Sequence, residues 1–221
     1  MAVVLVTGAN RGIGLEYCHQ LQARGDQVIA VCRQVSSELK ALGVQIEDGI
    51  ELTDQASTAD LLGRLHGVRL DAVILNAGVL QSVGLEDLDP ESIRRQFEVN
   101  ALAPLLLARD LVPRMACGSK LVLMTSRMGS IDDNSSGGSY GYRMSKVALN
   151  MAGKSLAIDL APRGIAVAIL HPGLVQTRMI NFNPNGIAPE HAVRGLLARI
   201  DALTLETSGS FWHSNGEVLP W

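Results

Sequence analysis

Val3-Val4-Leu5-Val6-Thr7-Gly8-Ala9-Asn10-Arg11-Gly12-Ile13-Gly14 is the stretch on which the fold turns. Val3 to Thr7 is a solid apolar run without polar alternation, as expected of a strand buried on both faces. It breaks at once into a turn holding three glycines, and Leu15 to Arg24 then sets Leu15, Cys18 and Leu21 on one helical face. A turn this rich in glycine lets backbone N–H groups face outward, and the helix behind it offers its positive end. Both features suit a pyrophosphate. The spacing is GxxxGxG rather than the commoner GxGxxG, so a plain strand-to-helix turn stays open at this point.

The alternation continues down the chain. Gln27 to Cys32 reads as a second strand and Val44 to Ile46 as a weaker third. Thr53 to Leu65 reads as a helix with Thr53 or Asp54 as its N-cap. Asp71 to Leu75 is the fourth strand. Pro90 opens a helical pattern that runs, with one interruption at Pro104, towards Met115. Lys120 to Thr125, the long helix Tyr142 to Leu160, Ile165 to Leu170, the helix Pro189 to Leu203 and the short run Ser210 to His213 complete it. Strands alternating with helices predict an α/β fold: one domain over residues 1–221, with a doubly wound parallel sheet, right-handed crossovers and helices on both faces.

The composition narrows the function. Apolar residues make up 47% of the 221, which is enough for a full core, and charged residues only 19%. The net charge is −3, with 19 basic and 22 acidic residues mixed along the chain, so no basic block is present to bind nucleic acid. The longest apolar runs, such as Ala101 to Ala108, fall far short of the roughly 20 residues of a membrane helix. The N-terminus has no basic region before its apolar stretch, so no export signal is visible. Cys18, Cys32 and Cys117 form no CxxC pair, which fits a reducing, cytoplasmic setting. No metal site is expected.

Ligands of such sheets sit beyond the C-terminal ends of the strands. After the fourth strand comes Asn76-Ala77-Gly78. Asn100 follows within the apolar segment Phe97 to Leu107, where a buried amide must be hydrogen-bonded. After the fifth comes Thr125-Ser126, and then, on the long helix, Tyr142 and Lys146 at i and i+4, sharing one face. A phenol is a poor proton carrier at neutral pH, and an ammonium beside it stabilises the phenolate. Tyr140, six residues from Lys146, falls on another face. After the sixth strand comes His171-Pro172-Gly173-Leu174-Val175-Gln176-Thr177, in which His171 reads as a loop-packing residue and the only histidine near this edge.

Taken in order and in frame, these pieces resemble the short-chain dehydrogenase/reductase family from Val3 to about Thr177. Within it, the Ser126–Ile131 and Tyr142–Asn150 stretches and the ending Gly216-Glu-Val-Leu-Pro-Trp221 look like the C-factor and small carbonyl reductase branch. The resemblance implies a Rossmann-type fold and an NAD(P)-dependent exchange between a carbonyl and an alcohol. Tyr142 would be the proton donor and acceptor, and Lys146 would lower its pKa and hold the nicotinamide ribose. Ser126 would bond the carbonyl, and Asn100 would kink its helix and hold a water. Cofactor contacts would fall on Thr7, Gly8, Asn10, Arg11, Gly12, Ile13 and Gly14, on Asn76, Ala77 and Gly78, and on Pro172, Gly173, Val175 and Thr177. Glu51-Leu52 stands where the family usually has an aspartate on the adenine. At the end of the second strand Cys32 takes the place of the acid that favours NAD, and Arg33 with Arg11 would surround a 2′-phosphate. NADP(H) is therefore expected over NAD(H).

The segment after Thr177 is short for the family, so an open pocket is expected, with Met128, Ser130, Met179 and Ile180 as candidate lining within a C-terminal pocket region of about 178–221. Helices Ala101 to Leu111 and Tyr142 to Leu160 often pair between subunits in this family, which implies a homodimer or homotetramer. The alternative is a cofactor-binding signalling protein of the C-factor type with little turnover, against which the complete Asn-Ser-Tyr-Lys set argues. An extended-branch epimerase would need a substrate domain for which 221 residues leave no room.

Overall fold

The computed structural model describes residues 1–221. Seven strands form one sheet: β1 (Val3–Thr7), β2 (Gln27–Val31), β3 (Gln45–Glu47), β4 (Leu70–Leu75), β5 (Met115–Met124), β6 (Ala166–His171) and β7 (Phe211–His213). All pair in parallel, in the order β3-β2-β1-β4-β5-β6-β7, so the sheet is doubly wound as the alternation predicts. The seven helices are α1 (Gly12–Ala23), α2 (Ser37–Ala41), α3 (Gln55–Arg64), α4 (Pro90–Phe97), α5 (Ala103–Leu111), α6 (Tyr140–Leu160) and α7 (Pro189–Asp201).

Solid apolar strands fit because both faces are covered. Val4 and Val6 of β1 join Tyr17 and Leu21 of α1 and Val193 and Leu196 of α7 in one core. Leu5, between them, points the other way, into a second core with Leu61 of α3, Leu107 of α5 and Leu149 of α6. Alternate side chains of one strand thus serve two layers.

Several boundaries differ from the sequence reading. Helix α1 begins at Gly12, three residues before its apolar face does. Asp54, not Thr53, caps α3, accepting from the Ser57 N–H at 2.7 Å. Helix α2 had no periodic signal: its five residues bury only Leu39, and the Ser36 hydroxyl caps it. Strand β5 starts five residues before Lys120, across a bulge opposite Leu70 to Ala72. There the Ser119 hydroxyl stands in for the ladder, donating to the Leu70 carbonyl and accepting from the Ala116 N–H, both at 3.0 Å. The interruption expected at Pro104 lies ahead of it, in a widened turn at Glu98–Leu102 where the Ala103 N–H donates to Glu98, five residues back. Pro104 has no N–H for the carbonyl of Asn100, so the ordinary i+4 bond is lost there.

Candidate active site

The C-terminal ends of β1, β4, β5 and β6 bring the predicted residues to one edge. Gly8 adopts φ +65°, and a Cβ there would stand 2.9 Å from Ala77 Cα. A Cβ on Gly14 would strike the Gly8 carbonyl and sit 2.7 Å from Asn76 Nδ2. Only hydrogen at both positions lets α1 start this close to β4. Thr7 and Asn76 lock the two strand ends: Thr7 Oγ1 accepts from the N–H groups of Asn76 (3.0 Å) and Ala77 (3.2 Å), while Asn76 Nδ2 donates to the Thr7 carbonyl (3.0 Å).

Helices α2, α3 and α4 are capped by Ser36, Asp54 and Asp89, but α1 has no capping side chain at Arg11. No acceptor in the protein takes the N–H groups of Gly12, Ile13 and Gly14. Open donors at the positive end of a helix, beside a turn in which Cβ atoms would not fit, match the pyrophosphate of a dinucleotide. Asn10 ties this turn to the next, donating to the Gln34 carbonyl at 2.9 Å.

On the far side of β1, Arg33 follows the buried Cys32. Its guanidinium lies 3.2 Å from the Glu51 carboxylate, whose other oxygen accepts from the Thr53 hydroxyl at 3.1 Å. Glu51, expected on the adenine, is thus engaged with Arg33, a pairing between two exposed loops that no local pattern announces. Burial works to raise the Glu51 carboxyl, but the hydrogen bonds donated by Thr53, and then Arg33, hold it below its ordinary range. Leu52 packs beside it against the second core.

Asn100 is fully buried in the widened turn. Its Oδ1 accepts from the Val79 N–H (2.8 Å), and its Nδ2 donates to the Val79 carbonyl (2.9 Å) and to Ser145 Oγ on α6 (3.0 Å). The side chain therefore clamps the loop after β4, Gly78 included, to the helix that carries Tyr142 and Lys146.

Tyr142 is 8% and Lys146 4% exposed, on the inner face of α6. Burial pushes the Tyr142 phenol up to about 12, while the Ser126 hydroxyl beside it acts in the opposite direction. Burial brings the Lys146 ammonium down to about 8, so it is still mostly protonated at neutral pH. Lys146 Nζ donates to the Met124 carbonyl at 2.9 Å and lies 5.7 Å from the centre of the Tyr142 ring. Tyr140, at the start of α6, is only half-buried. Ser126 Oγ accepts from the Met128 N–H at 3.1 Å, which sets the hydroxyl at the tip of β5.

The loop after β6 closes this side. Val175 is buried and bridges to Ile187, while the Thr177 methyl group faces Gly12, 3.2 Å from where a Cβ would be. Pro172 offers its carbonyl to the Ser214 hydroxyl at 3.0 Å. Met179 is exposed and Met128 and Ile180 are half-buried. Ser130 differs from its assignment as pocket lining: it is buried, donating to the Trp221 main-chain oxygen (3.0 Å) and accepting from the Asp133 N–H (3.1 Å). Those two partners turn its hydroxyl towards the C-terminal segment.

His171 is not alone at this edge, contrary to the sequence reading. The seventh strand, a three-residue run with a weak signal, brings His213 to a ring distance of 5.0 Å. Burial, then His213 and Arg127, lower the His171 imidazole to about 3, which keeps it neutral. The sequence reading also passed over Asn150, whose Nδ2 donates to the Gly129 carbonyl at 3.0 Å and holds the loop after Ser126. Its only sequence signal was its place four residues after Lys146, on the same helical face.

An uncapped glycine turn and a buried Ser-Tyr-Lys cluster at adjoining strand ends define a nicotinamide-dependent oxidoreductase of the doubly wound class. The chain belongs to the short-chain dehydrogenase family, whose model matches residues 2–186. It is 44% identical over 226 residues, covering 100% of both chains, to 1-hydroxy-2-glutathionyl-2-methyl-3-butene dehydrogenase of Rhodococcus sp. (strain AD45). The C-signal of Myxococcus xanthus is 43% identical over 155 residues, 69% of this chain and 93% of that one. An NADPH-bound carbonyl reductase from chicken fatty liver has the same fold, with a TM-score of 0.89 and 29% identity over 100% of this chain and 99% of that one. No helix is long and apolar enough to cross a membrane.

Proposed function

We propose that this protein is an NADP(H)-dependent enzyme that interconverts an aldehyde or ketone and its alcohol, one cofactor-binding domain whose segment from about residue 178 borders the substrate. The observation that carries the reading is the joint burial of Tyr142 and Lys146 on one face of α6 with the Ser126 hydroxyl beside the phenol. When bound, the nicotinamide supplies or takes the hydride at the carbonyl carbon. Ser126 holds the substrate oxygen, and Tyr142 gives that oxygen a proton in reduction and recovers it in oxidation. The Lys146 ammonium, 5.7 Å from the centre of the Tyr142 ring, favours the phenolate at neutral pH and works against the rise caused by burial. Gly12, Ile13 and Gly14 offer their N–H groups to the pyrophosphate. Asn76, Ala77 and Gly78 wall the centre of the site, and Pro172, Gly173, Val175 and Thr177 border the carboxamide.

The test is a screen of NADPH oxidation against aldehydes, ketones and quinones, and of NADP⁺ reduction with alcohols. A glutathionyl-bearing alcohol belongs in it, because the Rhodococcus relative is named for one. Only eleven residues, 178–188, separate Thr177 from α7, leaving the substrate side open. Absence of turnover on every class, with NADPH bound, overturns the reading. A binding-only role of the C-signal kind is not favoured, because it needs no phenol-ammonium pair held out of water. On the solvent-facing surfaces of α4, α5 and α6, Phe97, Leu106, Met144, Met151 and Ile158 stand exposed, the last three at seven-residue spacing along α6. We place a second copy there, which the mass in solution checks.

NADPH is expected to bind more tightly than NADH. Cys32 puts no carboxylate where the 2′-phosphate would sit, and Arg33, steered by Glu51, and the uncapped turn residue Arg11 supply guanidiniums. Removing one well-placed charged contact is worth roughly 1–3 kcal/mol, so Arg33→Ala should cut the NADPH preference about 5- to 150-fold. Cys32→Asp should favour NADH. Paired titrations decide it: equal wild-type affinities, or a preference that Arg33→Ala leaves intact, refute the assignment.

A further inference from the structure

We propose that the C-terminal segment from Phe211 to Trp221 is a strut that sets the Ser126–Met128 wall of the site, and that Glu217 and Trp221 are positioning residues for the substrate. The proposal rests on the carbonyl-alcohol reading above, which supplies the substrate whose binding is measured.

Beyond Ser126 the chain makes one tight turn, Arg127–Gly129, and then runs irregularly to Ser139. A loop of this kind has no helix or ladder of its own to hold it. It is held instead from two sides. From α6, Asn150 donates to the Gly129 carbonyl at 3.0 Å, and Arg143 to the Met128 carbonyl at 3.4 Å. From the C-terminal segment, Glu217 lies 2.9 Å from the Arg127 guanidinium, which Asp133 also meets at 2.5 Å.

The second anchor is the main-chain oxygen of Trp221. Three donors converge on it: the N–H groups of Ile131 and Asp132, each at 2.9 Å, and the Ser130 hydroxyl at 3.0 Å. Neither N–H has another acceptor. The oxygen is fixed in turn because the Trp221 indole stacks on Phe211 of β7, ring centres 5.6 Å apart and planes 24° apart. The Leu219 N–H donates to the Phe211 carbonyl at 2.8 Å, and the His213 N–H to the Glu217 carbonyl at 2.8 Å. The segment is therefore tied to the edge of the sheet at one end and to the loop at the other.

The connection reaches the chemistry in two steps. Arg127 and Met128 sit at the root of the loop, and the Met128 N–H donates to Ser126 Oγ, the hydroxyl beside the Tyr142 phenol. Displacing Arg127 moves Met128, and with it the Ser126 hydroxyl and the apolar side chain next to it. Glu217 and Trp221 make no hydrogen bond to the glycine turn, to the end of β2 or to the loop after β6, and the segment's tie to that loop, Ser214 on the Pro172 carbonyl, is not touched by substituting either of them.

The variants are Glu217→Gln, which removes the ion pair, Trp221→Ala, which removes the stack, the double variant, and Trp221→Phe, which keeps an aromatic ring on Phe211. Three quantities are read on the full chain: hydrogen exchange of the 127–133 amides by mass spectrometry, NADPH affinity, and KM and kcat for the best carbonyl substrate. In the double variant exchange over 127–133 should rise at least about tenfold and KM about 5- to 50-fold, with kcat falling less than KM rises and NADPH affinity held within about twofold. Each single variant should show a smaller change of the same kind, and Trp221→Phe should stay near wild type. Unchanged exchange overturns the strut. So does raised exchange with unaltered KM, or a loss of NADPH affinity in step with KM. If the wild type turns over no carbonyl compound, the functional reading fails instead, and the exchange measurement still decides whether the strut exists.

Discussion

Tyr142→Phe is expected to lower turnover by roughly 10²–10⁴ while leaving NADPH affinity nearly unchanged. The substitution removes one oxygen from a buried ring and little else, so the packing of α6 against the loop after β5 survives. What disappears is the proton that the substrate oxygen must receive. The internal control is Tyr140, two residues earlier and only half-buried. Two residues on a helix are about 200° apart, so the two phenols face different ways. Tyr140→Phe should change kcat by less than about threefold, below the range a proton relay commands. Steady-state kinetics of the pair, with NADPH binding by fluorescence, separates them. Equal losses in both, or a larger loss in Tyr140→Phe, would place the chemistry elsewhere.

Lys146→Met should be nearly inactive and yet more stable at neutral pH. Without the ammonium the Tyr142 phenolate loses its cationic neighbour, so alcohol oxidation should need a higher pH than in the wild type. The stability effect has the opposite sign. Burial lowers the Lys146 pKa from 10.5 to about 8, so at neutral pH the folded chain carries a charge it would rather not hold. A shift of that size corresponds to a cost on the order of 3 kcal/mol. The cost is fully present below about pH 8, where both states are protonated. It fades between about 8 and 10.5, where the unfolded chain binds the proton and the folded chain does not. Methionine removes the charge but leaves the Met124 carbonyl without its donor, which costs about 1–2 kcal/mol. The net gain is about 1–2 kcal/mol at pH 7, a Tm higher by roughly 2–8 °C, shrinking as pH approaches 10.5. A lower Tm at pH 7, or an oxidation profile left in place, would contradict the reading of Lys146 as a buried cation retained for chemistry.

The two strongest sequence signals were local ones. The run Val4 to Val6 could be read as a doubly buried strand because its own residues carry the pattern, and the structure divides those side chains between two cores. Tyr142 and Lys146 could be placed on one face because four residues make about one helical turn. Helix α2 escaped because a five-residue helix burying one leucine leaves no period to detect. The extended β5 escaped because its bulge depends on Ser119 meeting Leu70, forty-nine positions earlier.

The order of strands and glycine turns, the buried runs and the i, i+4 placement of phenol and ammonium followed from the sequence by itself. Each is a property of neighbouring residues, repeated at the period of a helix or a strand. Tertiary structure decided the pairing of Glu51 with Arg33, the arrival of His213 beside His171, the clamp from Asn100 to Ser145 and the hold of Trp221 on the loop after Ser126. Those contacts are polar and made between parts of the chain well separated in sequence. A lone polar residue looks the same in a sequence whether water or a buried partner will satisfy it, and only the folded backbone determines which one it meets.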